Sequence, residues 1–90
     1  MNYRRLGKTD LHISEIGFGA WGIGGGWGLQ DDSAALEALR RAFELGINFY
    51  DTAAVYGDGH SETLIGQAFK GRREQVGIAS KVPPKSFKWP

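Results

Sequence analysis

The stretch Asn48-Phe49-Tyr50-Asp51-Thr52-Ala53-Ala54-Val55-Tyr56-Gly57 decides how this chain is read. Its first half, from Ile47 to Thr52, is short, apolar and aromatic and follows Gly46, which is the pattern of a buried strand. Asp51 closes that strand, and Tyr56 stands in the glycine-containing turn from Val55 to His60 just beyond it. Further on, Val76 to Val82 reads as a second compact strand, with Lys81 near its end and Pro83-Pro84 terminating it. A carboxylate, a phenol and an ammonium are thereby expected at the same end of one sheet.

Working outward, a helix is expected between the two strands. Ser61 reads as its N-cap, Leu64, Ile65, Ala68 and Phe69 as its buried face, and Gly71 as its stop. Upstream, Asp31, Asp32 and Ser33 supply a cap and favourable charge for another helix. Leu36, Leu39, Ala42 and Phe43 recur there at helical spacing, Glu37 and Arg41 form an i, i+4 pair, and Gly46 is the expected C′ residue. Before it, Ile16 to Trp21 reads as a short buried strand and Gly22 to Gly28 as a glycine-rich loop, in which Trp27 is a candidate lid. Residues 3–16 alternate around the turn-prone Gly7-Lys8-Thr9-Asp10, the mark of a small hairpin.

The order is therefore a hairpin followed by β-α-β-α-β. Short connections of that kind predict parallel strands joined by right-handed crossovers, an α/β class. Parallel strands have helices on both faces or close into a barrel. An (α/β) barrel takes roughly 200–250 residues. This sequence has 90 and passes from its last strand into Lys85-Ser86-Phe87-Lys88-Trp89-Pro90, so an α/β unit cut short is expected.

Bulk composition narrows the function. Residues 1–90 are at most one domain. A net charge of +1 with both signs interspersed gives no nucleic-acid signal. With no cysteine, disulfides and thiolate metal sites are excluded, and His12 and His60 form no ligand-spaced cluster, so no metal is expected. No run approaches the roughly 20 apolar residues of a membrane span. The opening Met1-Asn2-Tyr3-Arg4-Arg5 leads into polar, alternating sequence and no leader is expected, which makes the cytoplasm the default location.

Taken singly, Asp51 is more often a turn or cap residue than a catalytic one, Tyr56 a rim packer and Lys81 a solvated strand end. Their shared address favours chemistry, because parallel α/β folds carry their sites at the C-terminal ends of strands, where Trp21 also falls. A free phenol has a pKa near 10. An ammonium beside it favours the phenolate, and Asp51 would hold the Lys81 ammonium in place. The three together would form a general acid able to protonate a developing alkoxide.

Phe49-Tyr50-Asp51-Thr52-Ala53 with Tyr56-Gly57, then Ser61-Glu62 and Gly66, then Ser80-Lys81-Val82, resembles the N-terminal third of the aldo-keto reductases. Leu6-Gly7-Lys8-Thr9-Asp10-Leu11 and Ile16-Gly17-Phe18-Gly19-Ala20-Trp21 match the same family. The resemblance implies a partial TIM (β/α)8 barrel, comprising the first three strands of an aldo-keto reductase domain over residues 1–90. It implies NADPH-dependent reduction of a small aldehyde or ketone, with Tyr56 donating the proton and Lys81 and Asp51 tuning it. Gly19, Ala20 and Trp21, within Gly17 to Trp21, would border the nicotinamide, with Asp51 near its ribose.

The family's fourth catalytic residue, a His after the fourth strand, has no counterpart, since His60 belongs to a different loop. The late strands and C-terminal helix that supply most cofactor contacts in the family are also absent. The expectation is a truncated, inactive product. Two alternatives are a cofactor-binding auxiliary or sensor subunit, and a complementing fragment that associates through open strand edges. Gly17-Phe18-Gly19-Ala20-Trp21-Gly22 also matches the dinucleotide fingerprint G-x-G-x-x-G. That motif needs a helix opening at its glycines, and here a loop is expected until about Asp31.

Overall fold

The computed structural model describes residues 1–24 and 31–84. Strands β1 (Tyr3–Arg5) and β2 (His12–Ser14) form the expected antiparallel hairpin, with Arg4 opposite Ile13. Its turn is closed by Thr9, whose N–H and Oγ1 both donate to the Leu6 carbonyl at 3.0 and 2.6 Å.

The three-stranded sheet consists of β3 (Phe18–Gly19), β4 (Phe49–Asp51) and β5 (Gly77–Ala79), parallel throughout and in that order. The strands are shorter than the sequence suggests, but backbone pairing runs on past their C-terminal ends. Ala20 N donates to Asp51 O at 2.9 Å, Thr52 N to Ala79 O at 2.8 Å and Ala54 N to Lys81 O at 3.1 Å. The ladder thus carries the chain up to Asp51, Thr52 and Lys81.

Helices α1 (Asp32–Glu44) and α2 (His60–Ala68) pack together on one face of this sheet. Leu39, Leu64, Ile65, Tyr50 and Phe69 are at most 1% exposed there, and the Tyr50 ring stacks 4.7 Å from that of Phe69. Each large apolar side chain so buried contributes roughly 1.5–3 kcal/mol. On the helix-free face, the Phe49 ring lies between two glycines. A Cβ on Gly17 would stand 3.2 Å from it and one on Gly77 3.5 Å. Asn48 closes the lower end, accepting from Ser14 N at 2.7 Å and donating to His12 O at 2.9 Å, which fastens the hairpin to the sheet.

The helix ends follow the sequence in part. Asp31 caps α1 by accepting from Ser33 N. Gly46, at φ +99°, ends it in a Schellman arrangement: its N–H reaches Phe43 O, and Ile47 N reaches Ala42 O. Ala35 joins Leu39 and Ala42 as a buried residue of α1, and the expected Leu36 and Phe43 are partly buried against the same core. Two expectations are corrected. Arg41 pairs with Glu44, three residues on, at 3.1 Å, a neighbour on the helix surface as Glu37 would have been. Ser61 is not the cap of α2. Gly57, Asp58 and Gly59 all adopt positive φ, at 68°, 53° and 89°, and this left-handed turn starts the helix two residues earlier, with Gly59 as its cap. Ser61 is thereby rotated inward. The glycine-rich loop opens with a single 3₁₀ turn, Gly22–Gly24, while the expectations for Gly25, Gly26, Gly28 and Trp27 lie outside the described residues.

Candidate active site

Asp51, Tyr56 and Lys81 come together at the C-terminal ends of β4 and β5. The parallel register sets Asp51 beside Ala79, so Lys81, two residues further, reaches back over the end of β4. Its Nζ donates to Asp51 Oδ1 at 2.7 Å and to Thr52 O at 2.8 Å. The same ammonium stands 5.4 Å from the centroid of the Tyr56 ring. The hydrogen bond to Asp51 raises Lys81 above the ordinary lysine value; desolvation opposes this, and Asp51 and Tyr56 add to it. The lysine is therefore a fixed cation at neutral pH. Both members of the ion pair remain 55% exposed, open to a ligand.

Tyr56 is partly buried and sits at the start of the left-handed turn. Its N–H donates to Ala53 O, and its carbonyl accepts from Ser61 N at 3.2 Å. The Tyr56–Gly57 peptide lies against Gly24 so closely that neither Gly24 nor Gly57 has room for a Cβ. Tyr56 and Lys81, with Ala53, Val55, Val82 and Pro83, line a hollow of about 200 Å³. A larger hollow of about 800 Å³ runs along the outer side of α1 between Ser33 and Glu44, but it is open surface lined by solvated side chains and contains no member of the cluster.

Of the three residues expected to border a nicotinamide, Gly19 pairs with Asp51 across the sheet, Ala20 is fully buried, and Trp21 is 47% exposed at the strand end. Ala20 thus offers only its backbone. Among the described residues nothing lies within 4 Å of where a Cβ on Gly19 would be, so there is open space for a flat ring beside the strand end that carries Asp51. The residues present fit one end of a nicotinamide nucleotide. Only the single 3₁₀ turn at Gly22–Gly24, and no α-helix, opens at Gly17 to Gly22, which removes the Rossmann reading of that motif. Among the described residues, no group of three or more His, Asp or Glu side chains could hold a metal ion, and no helix is long and apolar enough to cross a membrane.

Sequence reasoning missed the polar residues beneath the cluster. Thr52 and Ser61, 1% and 0% exposed, share a 2.7 Å hydrogen bond, and Ser61 Oγ donates to Ala20 O at 2.9 Å. Glu62 accepts from Ser80 Oγ at 2.6 Å, and His60 Nε2 meets Asp32 Oδ1 at 2.7 Å. A signal was available: Ser61 precedes Leu64, Ile65 and Ala68 by three, four and seven residues, which puts it on the inward stripe.

Parallel β-α units with Asp51, Tyr56 and Lys81 gathered at the C-terminal strand ends define the chain as part of an α/β-barrel type of scaffold. The Aldo/keto reductase family description matches residues 15–89, and the chain belongs to that family. It is 43% identical over 84 residues to the aldo-keto reductase YhdN of Bacillus subtilis, covering 90% of this chain and 25% of that protein. The solved aldo-keto reductase AKR11C1 from Bacillus halodurans, in its holo form, superposes with a TM-score of 0.82 at 42% identity, over 92% of this chain and 26% of that one. An aldo-keto reductase from Klebsiella pneumoniae solved in complex with NADPH superposes with a TM-score of 0.73 at 35% identity, over 82% and 25% of the two chains. The chain spans about a quarter of the length of these relatives.

Proposed function

We propose that residues 1–90 are the N-terminal portion of an aldo-keto reductase domain and carry its proton-donating site for reduction of an aldehyde or ketone. The observation that supports this most is the Lys81 ammonium held at once by Asp51 Oδ1 and Thr52 O and set against the Tyr56 ring. The cofactor is NADPH, the ligand of the Klebsiella relative. It would lie along Gly19, Ala20 and Trp21 with its ribose near Asp51, and when bound it supplies hydride to the carbonyl carbon. Tyr56 places its hydroxyl at the carbonyl oxygen and gives up its proton as negative charge develops there. Lys81 offsets the charge left on the phenolate, and Asp51 and Thr52 O fix where Lys81 stands. The phenol recovers its proton from water at the open side of the cluster.

The 90 residues alone are inferred to bind NADPH weakly and not to turn over. A hollow of about 200 Å³ falls below the roughly 300–1,000 Å³ of sites that enclose a small-molecule ligand. Among the described residues the outer edges of β3 and β5 are unpaired, which favours self-association or pairing with a complementing chain. The cytoplasm is the proposed location. Titration of the purified chain with NADPH, followed by tryptophan fluorescence and size-exclusion chromatography, tests these points together with an aldehyde-reduction assay. Joining the 90 residues to the remaining three quarters of the B. subtilis relative is expected to give NADPH-dependent aldehyde reduction. Reduction by the 90 residues alone would contradict the inferred inactivity, and tight binding without turnover in the joined protein would mark a sensor.

A further inference from the structure

We propose that the first turn of α2, through Ser61 and Glu62, is a positioning device that sets the spacing of the Asp51, Tyr56 and Lys81 cluster. What the cluster does rests on the function proposed above; the geometry does not. Ser61 is fully buried, and three of its contacts reach toward different members of the site. Its N–H donates to the Tyr56 carbonyl at 3.2 Å. Its Oγ donates to the carbonyl of Ala20, the residue before Trp21, at 2.9 Å. Its Oγ also lies 2.7 Å from Thr52 Oγ1.

Proton inventory assigns that last bond. A serine hydroxyl has one proton, and a carbonyl can only accept. The Ser61 proton is committed to Ala20 O, so Thr52 is the donor to Ser61 Oγ. Thr52 is in turn the residue whose carbonyl accepts from Lys81 Nζ, and it follows Asp51 directly. Glu62 completes the set by accepting from Ser80 Oγ at 2.6 Å, next to Lys81. Two adjacent residues thus hold the backbone or the immediate neighbour of every proposed site residue.

Neither side chain is needed to start the helix. Gly59 is the N-cap, and no side-chain cap bond is made. A methyl group at position 61 would suit the inward stripe shared with Leu64, Ile65 and Ala68. Hydroxyls at 52 and 61 add direction that apolar packing lacks, and they must stay paired because unpaired buried hydroxyls are costly.

The test has two readouts. In amide hydrogen exchange on the chain itself, Ser61→Ala is expected to speed exchange at Tyr56 and Gly59 about tenfold while Leu39 to Phe43 in α1 change less than about twofold. Thr52→Val, which keeps the volume and leaves the Ser61 bond to Ala20 O in place, is the milder variant and should give a smaller effect in the same place. Thr52→Ser should restore the parent pattern. In the protein joined to the B. subtilis relative, Thr52→Val should lower kcat about tenfold with KM for NADPH nearly unchanged, and Thr52→Ser should rescue it. Glu62→Ala should lower kcat without speeding exchange at Tyr56. Uniformly faster exchange, no local change, or a kcat indifferent to Thr52→Val would overturn the proposal. If Tyr56→Phe leaves turnover intact while the exchange pattern holds, the reductase reading fails and the positioning device stands.

Discussion

Gly24→Ala puts the packing around Tyr56 to a quantitative test. A Cβ on Gly24 would stand 2.7 Å from Tyr56 O, 2.8 Å from Tyr56 C and 3.2 Å from Gly57 N, where ordinary contact begins at 3.4 Å. All three atoms are backbone, so no side chain can swing aside, and the Tyr56 turn must retreat by about 0.7 Å. Overpacking of this kind costs roughly 1–3 kcal/mol. For a chain of this size each kcal/mol corresponds to a melting shift of about 4–8 °C. The catalytic consequence is larger in proportion. A misplacement of about 1 Å can cost on the order of 10²-fold in rate, so a shift of this size is expected to lower kcat by about tenfold or more. The assay is steady-state aldehyde reduction by the protein joined to the B. subtilis relative, with thermal melting alongside. Gly66→Ala is the control: a Cβ there meets nothing within 4 Å, and replacing a helical glycine should stabilise the chain by roughly 0.4–1 kcal/mol. Parent-like kcat in Gly24→Ala would refute the claim that the glycine loop and the Tyr56 turn are locked together.

Other outcomes follow from the same structure. Leu39 is fully buried between the helices and the sheet, so Leu39→Ala should cost roughly 2–5 kcal/mol in urea unfolding. Burial pushes the Tyr50 phenol up to about 12, with Arg72 opposing. Because the folded value lies above the unfolded value of about 10, this stability is full below pH 10 and is lost as pH rises through about 12. It amounts to roughly 2–3 kcal/mol, and Tyr50→Phe should flatten that alkaline decline. Lys81→Met should leave the melting temperature nearly unchanged, since its ion pair is more than half exposed, yet lower turnover in the joined protein by about 10²–10⁴-fold. The raised Lys81 keeps its tie to Asp51 intact at neutral pH and loses it only above 10.5, so activity should not titrate with this group below that value.

Much of this arrangement was legible in the residues, for reasons that differ by element. The helices followed from apolar spacing and from the glycines after them, and the parallel order of strands from the short connections. Asp51, Tyr56 and Lys81 could be placed together because each strand end points the same way in a parallel sheet. What sequence reading lost was the consequence of consecutive positive φ values at Gly57, Asp58 and Gly59. Glycines permit that turn without dictating it, so Ser61 looked like a cap. Once the turn is left-handed, the helix starts two residues early and the same serine faces the core.

The central claim is that the phenol of Tyr56 supplies the proton for carbonyl reduction from a cluster built by β4, β5 and the turn before α2. The direct measurement compares Tyr56→Phe with its parent in the protein joined to the B. subtilis relative, recording both kcat for an aldehyde and the dissociation constant for NADPH. The account predicts a loss of about 10²–10⁴-fold in kcat with cofactor affinity essentially unchanged. Turnover retained at the parent rate would contradict it.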